Sequence, residues 1–234
     1  MEPNAAPHAH EQPVREHHVH QRHFDRLVML ADGVFAIALT LSAVELRPEA
    51  KPGQSLLEVW GGPLLIYFLS FYLIAGVWYQ HRRAMAQLRR IDIPLTVLTM
   101  LLLSLVALVP VVIRTMITGG GLVELPGALP ASGLSVYAFS TNGFVPYVIT
   151  MLLIQLCLTV AWAYAAFIVR LAPDLLPERA KAWLLHDLSL TLAWATLTAW
   201  GLHLTWLAAV LLVSVAALRV AERRVQRAAK AAEP

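Results

Sequence analysis

Arg26–Leu46, RLVMLADGVFAIALTLSAVEL, is the segment around which this chain is organised. About 20 residues at ~1.5 Å each cover ~30 Å, so this run is long enough to cross a bilayer as one helix. It also holds an acid, Asp32, a turn or two inside its first basic residue, Arg26. An ionisable group within a spanning helix is costly, so it marks either a function or a buried partner. On a helical wheel Ile37, Leu41 and Val44 fall at about 0°, 40° and −20°, with Thr40 along the edge at about −60° and Asp32 away from them at about −140°. One face therefore stacks branched apolar side chains, while the acid points toward neighbouring helices. Gly33, Ala36 and Ala38 permit close helix approach. On spacing alone the stripe reads as a plain lipid-facing or core-facing surface.

The rest of the chain agrees with a membrane setting. Of 234 residues, 58% are hydrophobic and 14% charged, against about a quarter charged in soluble domains. No polar stretch reaches the roughly 50 residues that a separate soluble domain needs. The formal net charge of +3 comes from basic residues at helix ends, which is a topology signal and points to no nucleic-acid partner. The single cysteine, Cys157, lies in an apolar run, excludes an intrachain disulfide and reads as a packing residue. Residues 1–23 read as a disordered cytoplasmic tail with no apolar core, so no cleavable signal peptide is expected. This tail holds His8, His10, His17, His18, His20 and His23, but a metal site needs fixed geometry that it does not supply alone.

Six spans are expected, at about 25–46, 56–80, 93–114, 144–169, 183–200 and 204–221. The Gly61-Gly62-Pro63 interruption leaves the firm part of the second from Leu64 to Gln80, HRRAMAQLRR reads as a basic turn, and Gly201 as a tight turn before the sixth span. The connection 115–143 is expected to be partly helical. The fold class is thus an all-α integral membrane protein, with a transmembrane domain over 24–222 and a basic cytoplasmic tail over 223–234. An even span count puts all Lys and Arg except Arg47, Lys51 and Arg114 on one face, which makes both termini cytoplasmic. Trp60, Trp78, Tyr79 and Trp200 read as interfacial belt residues, and His186 and His203, at or near span ends, carry no assigned role. No internal repeat is present, so a pathway cannot be built from two halves of one chain.

The segment ADGVFAIALTLSAVEL resembles the first-helix signature of the potassium channels of the transmembrane protein 175 family. That signature has Arg, three residues, Phe-Ser-Asp, Gly-Val-Phe-Ala-Ile-Ala, one residue, Thr-Leu, and then an acid. Matches fall at Arg26, Asp32, Gly33, Val34, Phe35, Ala36, Ile37, Ala38, Thr40, Leu41 and Glu45; Leu30 stands where the family has Phe, and Ala31 where it has Ser. SFYLIAGVWYQHRR is similar to the family's second helix at Trp78 and His81. IDIPLTVLTMLLLSLVALVP is similar to its third, ending at Pro110, with Thr99 where Asn is usual.

The resemblance implies a six-span subunit of a homotetramer whose first helices line the pore. No TVGYG-like carbonyl filter occurs in this sequence. Carried onto this chain, Ile37 forms the narrowest ring, Leu41 and Val44 form successive rings outward, and Thr40 lies beside the constriction. A narrow apolar neck closes by dewetting, and a neck that partly dehydrates ions favours K⁺, which holds its water less tightly than Na⁺. Arg26, Asp32, Trp78 and His81 are candidates for a network bracing the cytoplasmic end; Ala31 removes a hydroxyl that the family places there. Glu45 would concentrate cations at the outer mouth, with Glu49 assisting; both also read as solvated loop acids. The implied function is a potassium-selective channel in a bacterial inner membrane, with lipids and permeant cations as partners and no cofactor or metal. The alternatives are a proton pathway or monovalent cation transporter using Asp32 with His81 as relay, and a non-conducting scaffold. A carrier would normally show repeats and broken helices around a midplane site. No paired Ser and His or paired aspartates lie within the spans, so an enzyme is not expected.

Overall fold

The computed structural model describes residues 11–46, 48, 52–53, 55–118, 122–124, 137–139 and 141–231. Six α-helices account for most of them: α1 Glu11–Val44, α2 Leu56–Met85, α3 Ile93–Thr118, α4 Thr141–Ala163, α5 Pro177–Gly201 and α6 Thr205–Ala231. Two three-residue strands, β1 Leu122–Glu124 and β2 Tyr137–Phe139, pair antiparallel between α3 and α4. That connection was expected to be partly helical, and the hairpin is the one departure from an all-α chain among the described residues.

Among the described residues, five segments are long and apolar enough to cross a membrane: Arg22–Val44, Val59–Met85, Ile93–Ile117, Gly143–Ile168 and Thr205–Arg227. The expected fifth span falls on α5, which is not among them. Its polar side chains are the reason, and they point inward: Asp187, Ser189 and Thr191 are buried. α5 packs between α4 and α6, and the Thr159 and Thr191 hydroxyls meet at 2.8 Å across the α4 interface.

α1 packs on α3 and α2, α3 on α4, and α2 also touches α3 and α4. The main core joins Ala31, Phe35 and Ala38 of α1 to Ile74 and Val77 of α2, Val106, Val109 and Ile113 of α3, and Val148, Met151 and Ile154 of α4. A second cluster closes one end, where Leu27 meets Met85, Leu88, Leu95 and Leu171.

Several boundaries differ from expectation. α1 starts at Glu11, so 11–23 of the expected tail are helical; His8 and His10 lie outside the described residues. α2 runs through Pro63 unbroken and continues to Met85, so His81–Arg83 belong to a helix and not to a turn. Proline removes one ladder hydrogen bond, a loss that spanning helices tolerate through local adjustment of the backbone. α6 carries the expected basic tail as helix as far as Ala231. Gly201 makes no turn. It sits in the last turn of α5, where a Cβ would meet Val145 Cγ2 at 3.1 Å, so its role is close packing on α4. The left-handed residue that ends α5 is His203, at φ 60°, with the Leu204 N–H donating to Ala199 O at 2.8 Å.

Candidate functional site

α1 divides into two faces along its membrane length. Leu27, Ala31, Phe35, Ala38 and Ser42 recur every three or four residues and are buried. The opposite stripe, Met29, Leu30, Gly33, Ala36, Ile37, Thr40, Leu41 and Val44, is exposed on the chain. Ile37, Leu41 and Val44 are 59%, 45% and 54% exposed, which is a large apolar surface for a helix that also holds the core. A Cβ at Gly33 would meet nothing within 4 Å. The Thr40 hydroxyl donates back to α1, with Ala36 O at 3.1 Å and Ile37 O at 2.9 Å, so its proton is held within the helix while its oxygen faces outward.

Asp32 leaves this stripe on the flank nearer α2. Trp78 Nε1 donates to Asp32 Oδ1 at 2.9 Å, and Arg82 donates to Oδ2 at 3.1 Å. Trp78 and Arg82 lie four apart on α2 and so share one face. The structure therefore unites two of the four expected network residues. His81 lies beside them but takes no part: it is 3% exposed, packs against the Phe35 ring at 6.0 Å between centroids, and has no hydrogen-bond partner on either ring nitrogen. A small cavity adjoins it, lined in part by Leu95, Thr99, Cys157 and Trp162. Thr99 satisfies its own hydroxyl on Leu95 O at 2.9 Å. Arg26 is exposed and makes no hydrogen bond or ion pair among the described residues. Arg82 is the residue that sequence reasoning missed. Its signal was the i, i+4 spacing from Trp78, hidden because HRR was read as a turn.

Ala31 is fully buried, so a side chain larger than Ala must find room in a packed helix contact. At the other end of α1, Glu45 pairs with Arg114 of α3 at 3.4 Å; the acid expected at an open mouth is tied to a neighbouring helix. Glu49 lies outside the described residues. The described residues include no His, Cys, Asp or Glu grouping that could hold a metal ion.

Residues 26–110 match the family described as the endosomal/lysosomal potassium channel TMEM175. The likeness to the TMEM175 family is established on this stretch. It covers the buried and uncovered faces of α1, the Trp78–Arg82 turn of α2, and α3 as far as Pro110. A protein of Streptomyces collinus named as a potassium channel is 34% identical over 89 residues, covering 36% of this chain and 43% of that protein. The chain therefore aligns with less than half of that relative's length. Among solved structures, the potassium channel MtTMEM175, crystallised as a threonine-to-alanine variant with a nanobody–MBP fusion, superposes with a TM-score of 0.53. It covers 86% of this chain and 93% of that one at 17% identity, which shows a shared fold. The TMEM175-like fold thus extends past the matched stretch into α4–α6.

Proposed function

We propose that this chain is one subunit of a potassium-selective cation channel, a homotetramer whose α1 helices converge on the pore axis. The observation that carries the proposal is the exposure of the α1 stripe: Ile37, Leu41 and Val44 are left largely uncovered, although α1 is otherwise a core helix. Four copies facing an axis would stack rings of Ile37, Leu41 and Val44, with Ile37 the narrowest. Such a neck conducts when wide and dewets when narrow. Thr40 sets oxygen lone pairs beside it, its proton already spent on α1 carbonyls. Selection arises from partial dehydration, with no carbonyl filter, cofactor or metal, and the protein is not an enzyme. α5 completes six spans, sheltered between α4 and α6, and both termini lie in the cytoplasm of a cell bounded by this membrane.

Asp32 braces the pore helix. Its two oxygens are already engaged by Trp78 and Arg82 and lie off the Ile37 stripe, which favours a structural role over proton relay or cation coupling. The test is K⁺ against Na⁺ flux into vesicles holding the purified protein. K⁺ should pass faster, and Ile37→Asn should raise flux and reduce the preference. Unaltered permeability in an intact Ile37→Asn tetramer would remove the neck from this site.

A further inference from the structure

From Trp206 to Arg227, α6 presents one uncovered stripe: Trp206, Val210, Val213, Ala217 and Val220, then Arg223, Arg224 and Arg227. The stripe is apolar as far as Val220 and cationic from Arg223, a change completed within one turn. Trp206 and Arg223 are 17 residues apart, or about 26 Å along the helix, close to the ~30 Å depth of a hydrocarbon core. An exposed Trp at one end and arginines at the other mark the two headgroup levels.

The helix holds one acid, Glu222, and it is turned inward. Arg219 donates to Glu222 Oε2 at 3.1 Å, His186 Nδ1 of α5 lies 3.1 Å from Oε1, and Gln226 Nε2 donates to Oε1 at 3.0 Å. Glu222 lies about 145° round the helix from the middle of the arginine stripe. It is unable to neutralise Arg223, Arg224 or Arg227, and no other acid pairs with them among the described residues. The inward cluster takes up the one acid of α6, and the outward face keeps three guanidinium groups where acyl chains give way to headgroups.

We propose that Arg223, Arg224 and Arg227 form a binding site for the headgroup of an anionic phospholipid, whose acyl chains lie along Val213, Ala217 and Val220. Guanidinium forks suit phosphate oxygens bidentately, and the apolar stripe beneath receives the chains. The inference rests on α6 lying in the membrane, and not on ion conduction. Each arginine near an anionic surface is worth a factor of about five in association at most, reduced by salt.

The probe is spin-labelled phosphatidylglycerol, compared with spin-labelled phosphatidylcholine, in phosphatidylcholine vesicles holding the full-length protein; the readout is the motionally restricted fraction of each label. The wild type should prefer phosphatidylglycerol several-fold, and R223Q/R224Q/R227Q should bring the ratio close to one. R223K/R224K/R227K, which keeps the charge but loses the fork, should retain part of the preference and shows that the stripe tolerates substitution. A preference unchanged in the glutamine triple variant, or absent in the wild type at low salt, would overturn the proposal. Because lipid selectivity is read without ion flux, a failed flux experiment leaves this result standing, and the reverse also holds.

Discussion

Removing the Asp32 carboxylate should loosen α1 from α2, by an amount that depends on which bond is lost. A hydrogen bond to a charged acceptor contributes about 1.5–3 kcal/mol, which bounds the Trp78 Nε1–Asp32 contact at 2.9 Å. The Arg82–Asp32 pair has side chains 46% and 38% exposed, so it is discounted to about 0–1 kcal/mol. Asp32→Ala loses both and should cost about 2–3 kcal/mol. Asp32→Asn keeps an oxygen for Trp78 and should cost about 1 kcal/mol. The decisive comparison is Trp78→Phe in two backgrounds. It should cost about 1.5–3 kcal/mol in the wild type and close to nothing in Asp32→Ala, because the acceptor is already gone. The assay is denaturant unfolding in detergent followed by helical circular dichroism, which is indifferent to the loss of one tryptophan. Equal costs for Trp78→Phe in both backgrounds would refute the reasoning, since the ring would then act through packing alone.

Gly143→Ala should destabilise by about 1–3 kcal/mol, as expected of overpacking, because a Cβ there would lie 2.8 Å from Met116 Cα and 2.9 Å from Thr115 O; a lowered thermal midpoint checks it. Gly33→Leu should leave the helix content intact, since an added Cβ meets no neighbouring element within 4 Å, yet reduce recovery of the proposed tetramer on size exclusion. Glu45→Gln should shift stability by less than about 1 kcal/mol, its partner Arg114 being well exposed, as an unfolding midpoint close to wild type would verify.

Much of this architecture was legible because membrane helices announce themselves by length and hydrophobicity. The wheel put Ile37, Leu41 and Val44 on one face and Asp32 off it, but left open whether that face was covered; its exposure appears only in the packed structure. The partners of Asp32 were legible only in part. Trp78 came from the resemblance, whereas Arg82 was lost once the end of α2 was read as a turn, and His81 was assigned polar contacts it does not make. Sequence period places a residue on a face but does not say how far a helix continues past its apolar run. α5 shows the opposite limit: its Asp187, Ser189 and Thr191 lower its apparent hydrophobicity, and only tertiary packing reveals that these groups face α4 and α6. Gly201 illustrates a third limit, since a glycine near a helix end reads alike whether it turns the chain or admits a neighbouring helix.

The end of α2 links α1 to the rest of the chain. On one flank Trp78 and Arg82 hold Asp32 of α1. On the other, Gln80 Oε1 accepts from Gln155 Nε2 of α4 at 3.0 Å, and the Arg83 guanidinium stacks 4.1 Å over the Trp183 ring of α5. Trp183 rests in turn on Trp162 of α4, at 5.2 Å between ring centroids. A cation over an indole face is worth about 0.5–2 kcal/mol depending on desolvation, comparable to the brace on the opposite flank. Six consecutive residues thus grip three helices with contacts of similar strength, so α1 cannot rotate its Ile37 stripe without straining Asp32 or shifting α2 against α4 and α5. Rotation of α1 therefore requires the Trp78–Arg83 turn to move as a unit. Arg83→Ala, which frees one flank and leaves the Asp32 brace intact, should change the K⁺ flux of reconstituted protein without altering its preference for K⁺ over Na⁺. A changed preference at unchanged flux would place Arg83 in ion selection and contradict the linkage.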